Sequence, residues 1–248
     1  STTATLATSN YSIAGFVGSE SARITQTAGA YDDKHVGTSK TVTVVLDSDD
    51  YTAGSDTSLS NYILDTGTVT GSIGTITQKA LVLTAPTISK TYDGTTAYFA
   101  TASDLTNLSA QLESGDTVTT ASIAFANKDV GTGKTVQLSS ATLDDGNSGS
   151  NYSVTLANAS TGTITKAPLS VIAVNDAKFV TQSDPTFTFT YSGFVNGESA
   201  SALVTASEFT IGSISRSNSS NNAAGSYSDV LVPTGFAADN YNISVVNA

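Results

Sequence analysis

Lys34-His-Val-Gly-Thr-Ser-Lys-Thr-Val42 returns as Lys128-Asp-Val-Gly-Thr-Gly-Lys-Thr-Val136, and this recurrence decides the fold. Each copy is followed by an asparagine-tyrosine pair, Asn61-Tyr62 and Asn151-Tyr152, and a third pair stands at Asn240-Tyr241. The register is fixed by a second phrase, Gly74-Thr-Ile-Thr-Gln-Lys-Ala-Leu81, which matches Gly162-Thr-Ile-Thr-Lys-Ala-Pro-Leu169. A period of roughly 90 residues is too long for a solenoid turn and fits a small domain that closes its own core. The expected architecture is all-β: a tandem array of three small immunoglobulin-like β-sandwich domains, end to end, over residues 1–80, 81–168 and 169–248.

The second repeat opens with Leu81-Val-Leu-Thr-Ala85 and continues through Lys90-Thr-Tyr-Asp-Gly-Thr-Thr-Ala97, where Asp93-Gly94 marks a turn between strand-like runs. Its later strands are expected at 118–125, 135–143, 152–156 and 163–165. The first repeat runs in the same order but starts late. Thr2-Thr-Ala-Thr-Leu-Ala7 aligns with Thr95 to Ala100, so the expectation is a domain lacking its first strand. In the third repeat Phe187, Phe189 and Tyr191 alternate with threonines as a half-buried strand does, and 198–205 reads as a short helical turn. Gly15-Phe-Val-Gly-Ser-Glu-Ser-Ala22 echoes Gly193-Phe-Val-Asn-Gly-Glu-Ser-Ala200, linking the first repeat to the third. The third repeat stops short of a closing strand. From Thr75 to Leu83 the chain passes between repeats without a flexible Gly/Ser linker, which predicts a stiff joint.

Composition agrees with strands and narrows the function. Only 12% of the 248 residues are charged, and Thr, Ser and Gly fill much of the balance, a mix that suits half-solvated strands better than helices. The formal charge is −11 with scattered Lys and Arg, so no basic stripe exists to neutralise a phosphate backbone and nucleic acid is not an expected partner. No apolar run approaches the ~20 residues of a membrane span, so no direct membrane insertion is expected. Cysteine is absent. Small disulfide-free β domains point to a cytosolic protein or to bacterial surface architecture, and the Thr-rich repeats favour the second. The missing initiator methionine at Ser1 reads as a piece of something longer.

The motifs carry little chemistry. In each Asn-Tyr pair the asparagine suits a turn and the tyrosine can bury its ring while its hydroxyl reaches a backbone group. Gly37 and Gly131 are expected to supply a positive φ in a hairpin. Gly131-Thr-Gly-Lys-Thr135 imitates a phosphate loop, but Lys128 stands where the motif needs its first glycine and strand residues follow. His35 is the sole histidine, with no cysteine or second histidine to complete a triad or zinc site, and reads as a solvent-facing turn residue. Neither a catalytic nor a cofactor-binding residue is expected. The candidate metal ligands are Asp47, Asp49 and Asp50 in one loop and Asp144 and Asp145 in its counterpart, with Ca²⁺ the ion their oxygens would suit. Neither loop has the register of a known calcium motif, so both are expected to be solvated loops, with Ca²⁺ binding the alternative.

Lys90-Thr-Tyr-Asp-Gly-Thr-Thr-Ala97, with Asp129-Val-Gly-Thr-Gly-Lys-Thr-Val136 and Asn151-Tyr152, resembles the YDG repeats of bacterial adhesins, as does the first repeat. The third repeat, with Asp184-Pro-Thr-Phe187, Tyr191 to Ala200, Gly225-Ser-Tyr-Ser-Asp-Val230 and Asn240-Tyr241, is similar to the mostly-β, glycine-rich MBG family. The resemblance implies a non-enzymatic stalk segment of a secreted or surface-anchored adhesin of the filamentous-haemagglutinin kind, serving cell adhesion and biofilm matrix. Its location would be extracellular, on the bacterial surface or secreted. Its partners would be neighbouring repeat domains of the same protein, copies of itself, or cell-surface and matrix glycans. The alternatives are a self-assembling filament subunit completed by strand exchange and a Ca²⁺-assisted carbohydrate-binding module.

Overall fold

The computed structural model describes residues 2–248; Ser1, from which the first repeat was counted, lies outside them. The chain is mostly β, 44% strand and 9% helical, in agreement with the Thr- and Val-rich composition. It divides into two compact units, one of residues up to Leu81 with Leu143–Thr155, the other of Val82–Thr142 with Leu156–Ala248.

In the first unit, β1 (Thr3–Thr5), β3 (Ala28–Tyr31), β4 (Gly37–Leu46) and β6 (Gly67–Ile76) form one antiparallel sheet in the order β1-β3-β4-β6. β2 (Ala22–Ile24) pairs with β5 (Tyr51–Ala53) as a separate ribbon. Ala4, Leu6, Ile24, Val42, Val44 and Leu46 make the core, flanked by Tyr11, Ile13, Tyr31, Tyr51 and Val69. β4 shows why its sequence folds this way, since Val42, Val44 and Leu46 are buried while Val45 and the threonines face outward at the period of two that a half-solvated strand requires.

The second repeat is built from β7 (Lys79–Thr84), β8 (Ser89–Thr91), β9 (Ala97–Tyr98), helix α1 (Ala102–Ser109), β10 (Thr117–Phe125), β11 (Gly131–Asp144), β12 (Tyr152–Ala157) and β13 (Ala159–Thr165). Its main sheet has the order β8-β13-β11-β10-β9. The phosphate-loop lookalike is the first five residues of β11. Helix α1 is absent from the sequence expectation. It starts on a capping box, in which the Asp104 carboxylate accepts the Thr101 backbone N–H and hydroxyl while Thr101 Oγ1 accepts the Asp104 N–H.

The third repeat contains β14 (Ala167–Ala173), β15 (Phe189–Ser192), helix α2 (Ala200–Thr205), β16 (Phe209–Thr210), β17 (Ser213–Arg216), β18 (Leu231–Thr234), β19 (Ala237–Ala238) and β20 (Tyr241–Val246). β14 lies between β15, antiparallel, and β20, parallel, with Ala167 opposite Tyr241. Phe189 and Tyr191 alternate as expected, and they join Phe194, Phe209 and Phe236 in edge-to-face or tilted contacts with centroids 5.0 to 6.3 Å apart. Asn196 takes a φ of 51° and Gly197 one of 71° in the turn ahead of α2.

The recurring phrases fold alike residue for residue. Gly37 faces Ile76, Thr38 faces Thr75 and Lys40 faces Gly74, just as Gly131 faces Ile164, Thr132 faces Thr163 and Lys134 faces Gly162. Both ladders skip one residue before the lysine. The skipped residues, Ser39 and Gly133, have φ values of 55° and 64°, so each is the left-handed residue of a bulge. The positive φ expected at the hairpin therefore sits two residues further on, because Gly37 has no positive φ and Gly131, at 158°, is nearly extended. The bulge returns each lysine to a partner across the turn, Lys40 to Asp33 and Lys134 to Asn127. Glycine recurs at 74 and 162 for a steric reason. A Cβ on Gly162 would stand 2.6 Å from the Phe125 ring and 2.8 Å from Val136, and one on Gly74 would stand 2.3 Å from the Tyr31 ring. An aromatic side chain thus lies across a bare backbone in both sheets. Gly162→Ala is expected to destabilise the protein by about 1–3 kcal/mol through overpacking, measured as a lowered denaturation midpoint.

Candidate functional site

The candidate metal ligands fall in two separate loops. Asp47, Asp49 and Asp50 lie at a single 3₁₀ turn over Ser48–Asp50, where the Asp50 carboxylate accepts the Asp47 N–H at 2.8 Å. Asp144 and Asp145 follow β11. Asp144 stays at the surface, but Asp145 is buried, against the expectation of a solvated loop. Its carboxylate organises residues 145–151, Oδ1 accepting the N–H groups of Asn147 and Gly149 at 2.8 and 2.7 Å and Oδ2 accepting that of Asn151 at 2.9 Å. Burial pushes this carboxyl up, and the bonds from Asn151, Asn147 and Gly149 outweigh it and hold the group below the usual carboxylate range. Among the described residues no group of three or more His, Cys, Asp or Glu side chains is placed to hold a metal ion.

What the Asp145 loop positions is Asn151. Its Oδ1 accepts the backbone N–H of Val36 in the first repeat at 3.0 Å, and its carbonyl accepts that of Lys79 at 2.9 Å. His35 is half-buried here rather than solvent-facing, its Nδ1 3.2 Å from Asn151 Nδ2 and its ring against Gly146. The arrangement recurs one repeat later. Asn240 Oδ1 accepts the Val130 N–H at 2.9 Å and its carbonyl accepts that of Ala167 at 3.1 Å. The valine of each Val-Gly-Thr loop is therefore held not by the Asn-Tyr pair of its own repeat but by the asparagine of the pair one repeat later. Sequence reading placed that asparagine in a turn and missed its reach, because the partner lies 115 or 110 residues away and nothing in either phrase names the other.

Between the second and third repeats the joint carries a polar core. Glu198, just ahead of α2, accepts the Tyr241 hydroxyl on Oε2 at 2.5 Å and the Tyr92 hydroxyl on Oε1 at 2.6 Å. Lys128 Nζ donates to the same Oε1 at 2.9 Å and to Tyr92 Oη at 3.1 Å. The Val195 N–H donates to Tyr241 Oη at 3.2 Å, and the two tyrosine rings meet edge to face with centroids 5.5 Å apart. Tyr92, Tyr241 and Asn240 are each at most 3% exposed.

This assigns a task to each residue of Tyr92-Asp-Gly94. Tyr92 enters the joint. Asp93 holds the turn, accepting the Thr95 N–H at 2.9 Å and Lys90 Nζ at 2.7 Å. Gly94 has a φ of 76°, its carbonyl accepts Asn196 Nδ2 at 3.2 Å, and a Cβ there would stand 2.7 Å from that of Asn196. The same geometry demands glycine twice over.

The titration of the cluster follows from its contacts. Burial pushes the Glu198 carboxyl up, but the hydrogen bonds from Tyr241, Tyr92 and Lys128 outweigh it and hold it below the ordinary carboxylate range. The bond to Glu198, then that to Tyr92, raises the Lys128 ammonium above its usual value. Burial, then the bond to Glu198, raises the Tyr241 hydroxyl. A depressed carboxyl contributes stability that is present above its unfolded value of about 4.3 and is lost as pH falls through the lower folded value. A raised ammonium contributes stability that is present below about 10.4 and is lost as pH rises through the higher folded value.

Residues 77–163 match the YDG domain family and residues 169–248 match the MBG domain family of the YGX type. No curated protein and no solved structure matches the chain. The chain thus contains a YDG domain and an MBG domain, the modules of a repeat-type segment of a surface protein. The Glu198 cluster lies where these two domains join.

The protection of the β14 and β20 amides, taken relative to their intrinsic exchange rate at each pH, is expected to fall below about pH 4 in the unaltered protein, and E198Q should flatten that acid response. Asn240→Ala, which leaves the Val130 N–H without its acceptor, should cost about 1–3 kcal/mol and should be visible in the melting temperature.

Proposed function

We propose that the chain is a non-enzymatic stalk segment of a secreted or surface-anchored bacterial adhesin, working outside the cell to hold a binding region at a distance. The observation that carries this reading is the joint. Polar side chains that a single-domain protein would leave in solvent are buried between the YDG and MBG domains, every bond of Glu198 is matched, and the asparagine contact recurs at Asn151. Such a joint resists bending, because reorienting the domains would strip a carboxylate of its partners in a site poorly open to water. Strand β13 passes into β14 across the single residue Lys166, which leaves no slack.

Other features of the chain agree with a spacer. The shifted carboxyls of Asp145 and Asp93 are occupied in structural contacts, the first in its loop and the second in its turn. The partners on this reading are neighbouring domains of the same protein, with any glycan or host ligand engaged elsewhere in the molecule. Calorimetry of the chain with Ca²⁺, and a glycan array probed with and without the ion, should both be silent. Saturable binding in either would replace the stalk with a Ca²⁺-assisted carbohydrate-binding module, and ordered fibres in electron micrographs would replace it with a filament subunit.

A further inference from the structure

The first repeat carries the acceptor half of the Glu198 joint. Glu20 accepts the Tyr62 hydroxyl on Oε2, as Glu198 accepts that of Tyr241. The Val17 N–H donates to Tyr62 Oη at 3.2 Å, the same length as the bond from Val195 to Tyr241. Phe16 meets the Tyr62 ring edge to face at 4.8 Å, as Phe194 meets Tyr241 at 5.4 Å. Tyrosine, carboxylate, backbone donor and aromatic neighbour are thus reproduced in one local arrangement, by the echoing phrases Gly15 to Ala22 and Gly193 to Ala200.

The two sites differ in what meets them. Glu198 Oε1 takes the Tyr92 hydroxyl and the Lys128 ammonium, and Asn240 takes the Val130 N–H. Among the described residues no cation pairs with Glu20 and no donor bonds to the Asn61 side chain, and Asn61 is exposed where Asn240 is 3% exposed. The backbone tells the same story. The residues after Asn151 and Asn240 form β12 and β20 against the opening strands β7 and β14. Those after Asn61 belong to no strand until Gly67, and Ile63 is fully exposed.

We infer that Asn61, Tyr62 and Glu20 form a docking site for the end of a further YDG-type domain set in tandem, one that presents counterparts of Tyr92, Lys128 and Val130 and runs on from its last strand into a strand like β14. The charge is complementary: a half-buried carboxylate with one oxygen already bonded to a tyrosine calls for a hydroxyl and an ammonium on the other. A second copy of this chain does not supply that end, because its own Tyr92, Lys128 and Val130 are held by Glu198 and Asn240. The inference rests on the stalk reading in that such docking extends the array.

The first arm of the test uses the chain by itself. N61A should leave the melting temperature unmoved while N151A lowers it; an equal drop with N61A would reveal a partner for Asn61 inside the chain and overturn the inference. The second arm uses a tandem chain in which residues 2–173 precede a complete copy through a flexible linker of about 12 residues. Amide exchange at residues 62–66 of the complete copy should slow by about tenfold or more relative to the single chain. E20Q in the complete copy, or Y92F in the leading segment, should each remove most of that protection while the Val136 amide of the leading segment stays protected. No slowing with a folded leading segment, or slowing indifferent to both substitutions, would overturn the inference. E198Q in the single chain separates the two readings: if it loosens β14 and β20 while the tandem chain gains no protection, the stalk stands and only the added docking site falls.

Discussion

A carboxylate that accepts two tyrosine hydroxyls and a lysine between two domains is the interaction on which this structure turns. Removing Glu198 from water is costly, and only a full set of donors makes the burial tolerable. Tyr92 and Lys128 come from the YDG domain and Tyr241 from the MBG domain, so the set is complete only when the domains meet in one orientation. An apolar joint of equal area would tolerate sliding. A matched polar cluster does not, since a small displacement leaves a charge without partners.

The same constraint explains where sequence is repeated and where it drifts. Val36 and Val130 contribute a backbone N–H to the asparagine, so what must be kept is the path of the loop, which the bulges at Ser39 and Gly133 secure. Positions in the same phrase whose side chains do not set that path vary, as the half-buried His35 and the exposed Asp129 do. Gly74 and Gly162 recur because aromatic rings cross them, and Gly94 is glycine because Asn196 approaches it.

Much of the strand order was legible beforehand. The strand expected at 118–125 is β10 to within one residue, and the one expected at 135–143 falls inside β11. Helix α1 was not legible, since Ala102–Ser109 mixes polar and apolar residues without a strong apolar stripe and declares itself only through the Thr101–Asp104 cap. The joints were half legible. The Asn-Tyr pairs stood out by repetition, and the echo between Gly15 to Ala22 and Gly193 to Ala200 marked the segment that holds Glu20 and Glu198. The assignment of partners needed coordinates, because hydrogen bonds spanning more than 100 residues leave no local pattern. Asp145 was misjudged for a related reason: adjacent aspartates look alike in sequence, and only the loop geometry separates the exposed Asp144 from its buried neighbour.

The parallel pairing of β14 with β20 bears on how the MBG domain answers tension. These strands open and nearly close the domain, and they run side by side from Ala167 opposite Tyr241 to Ile172 opposite Val246. A pull entering at the start of β14 and leaving at the end of β20 slides the strands lengthwise, so the rungs of that ladder share the load together instead of peeling one at a time. A domain wired in this way yields late and abruptly under traction, even where its resistance to heat or denaturant is ordinary.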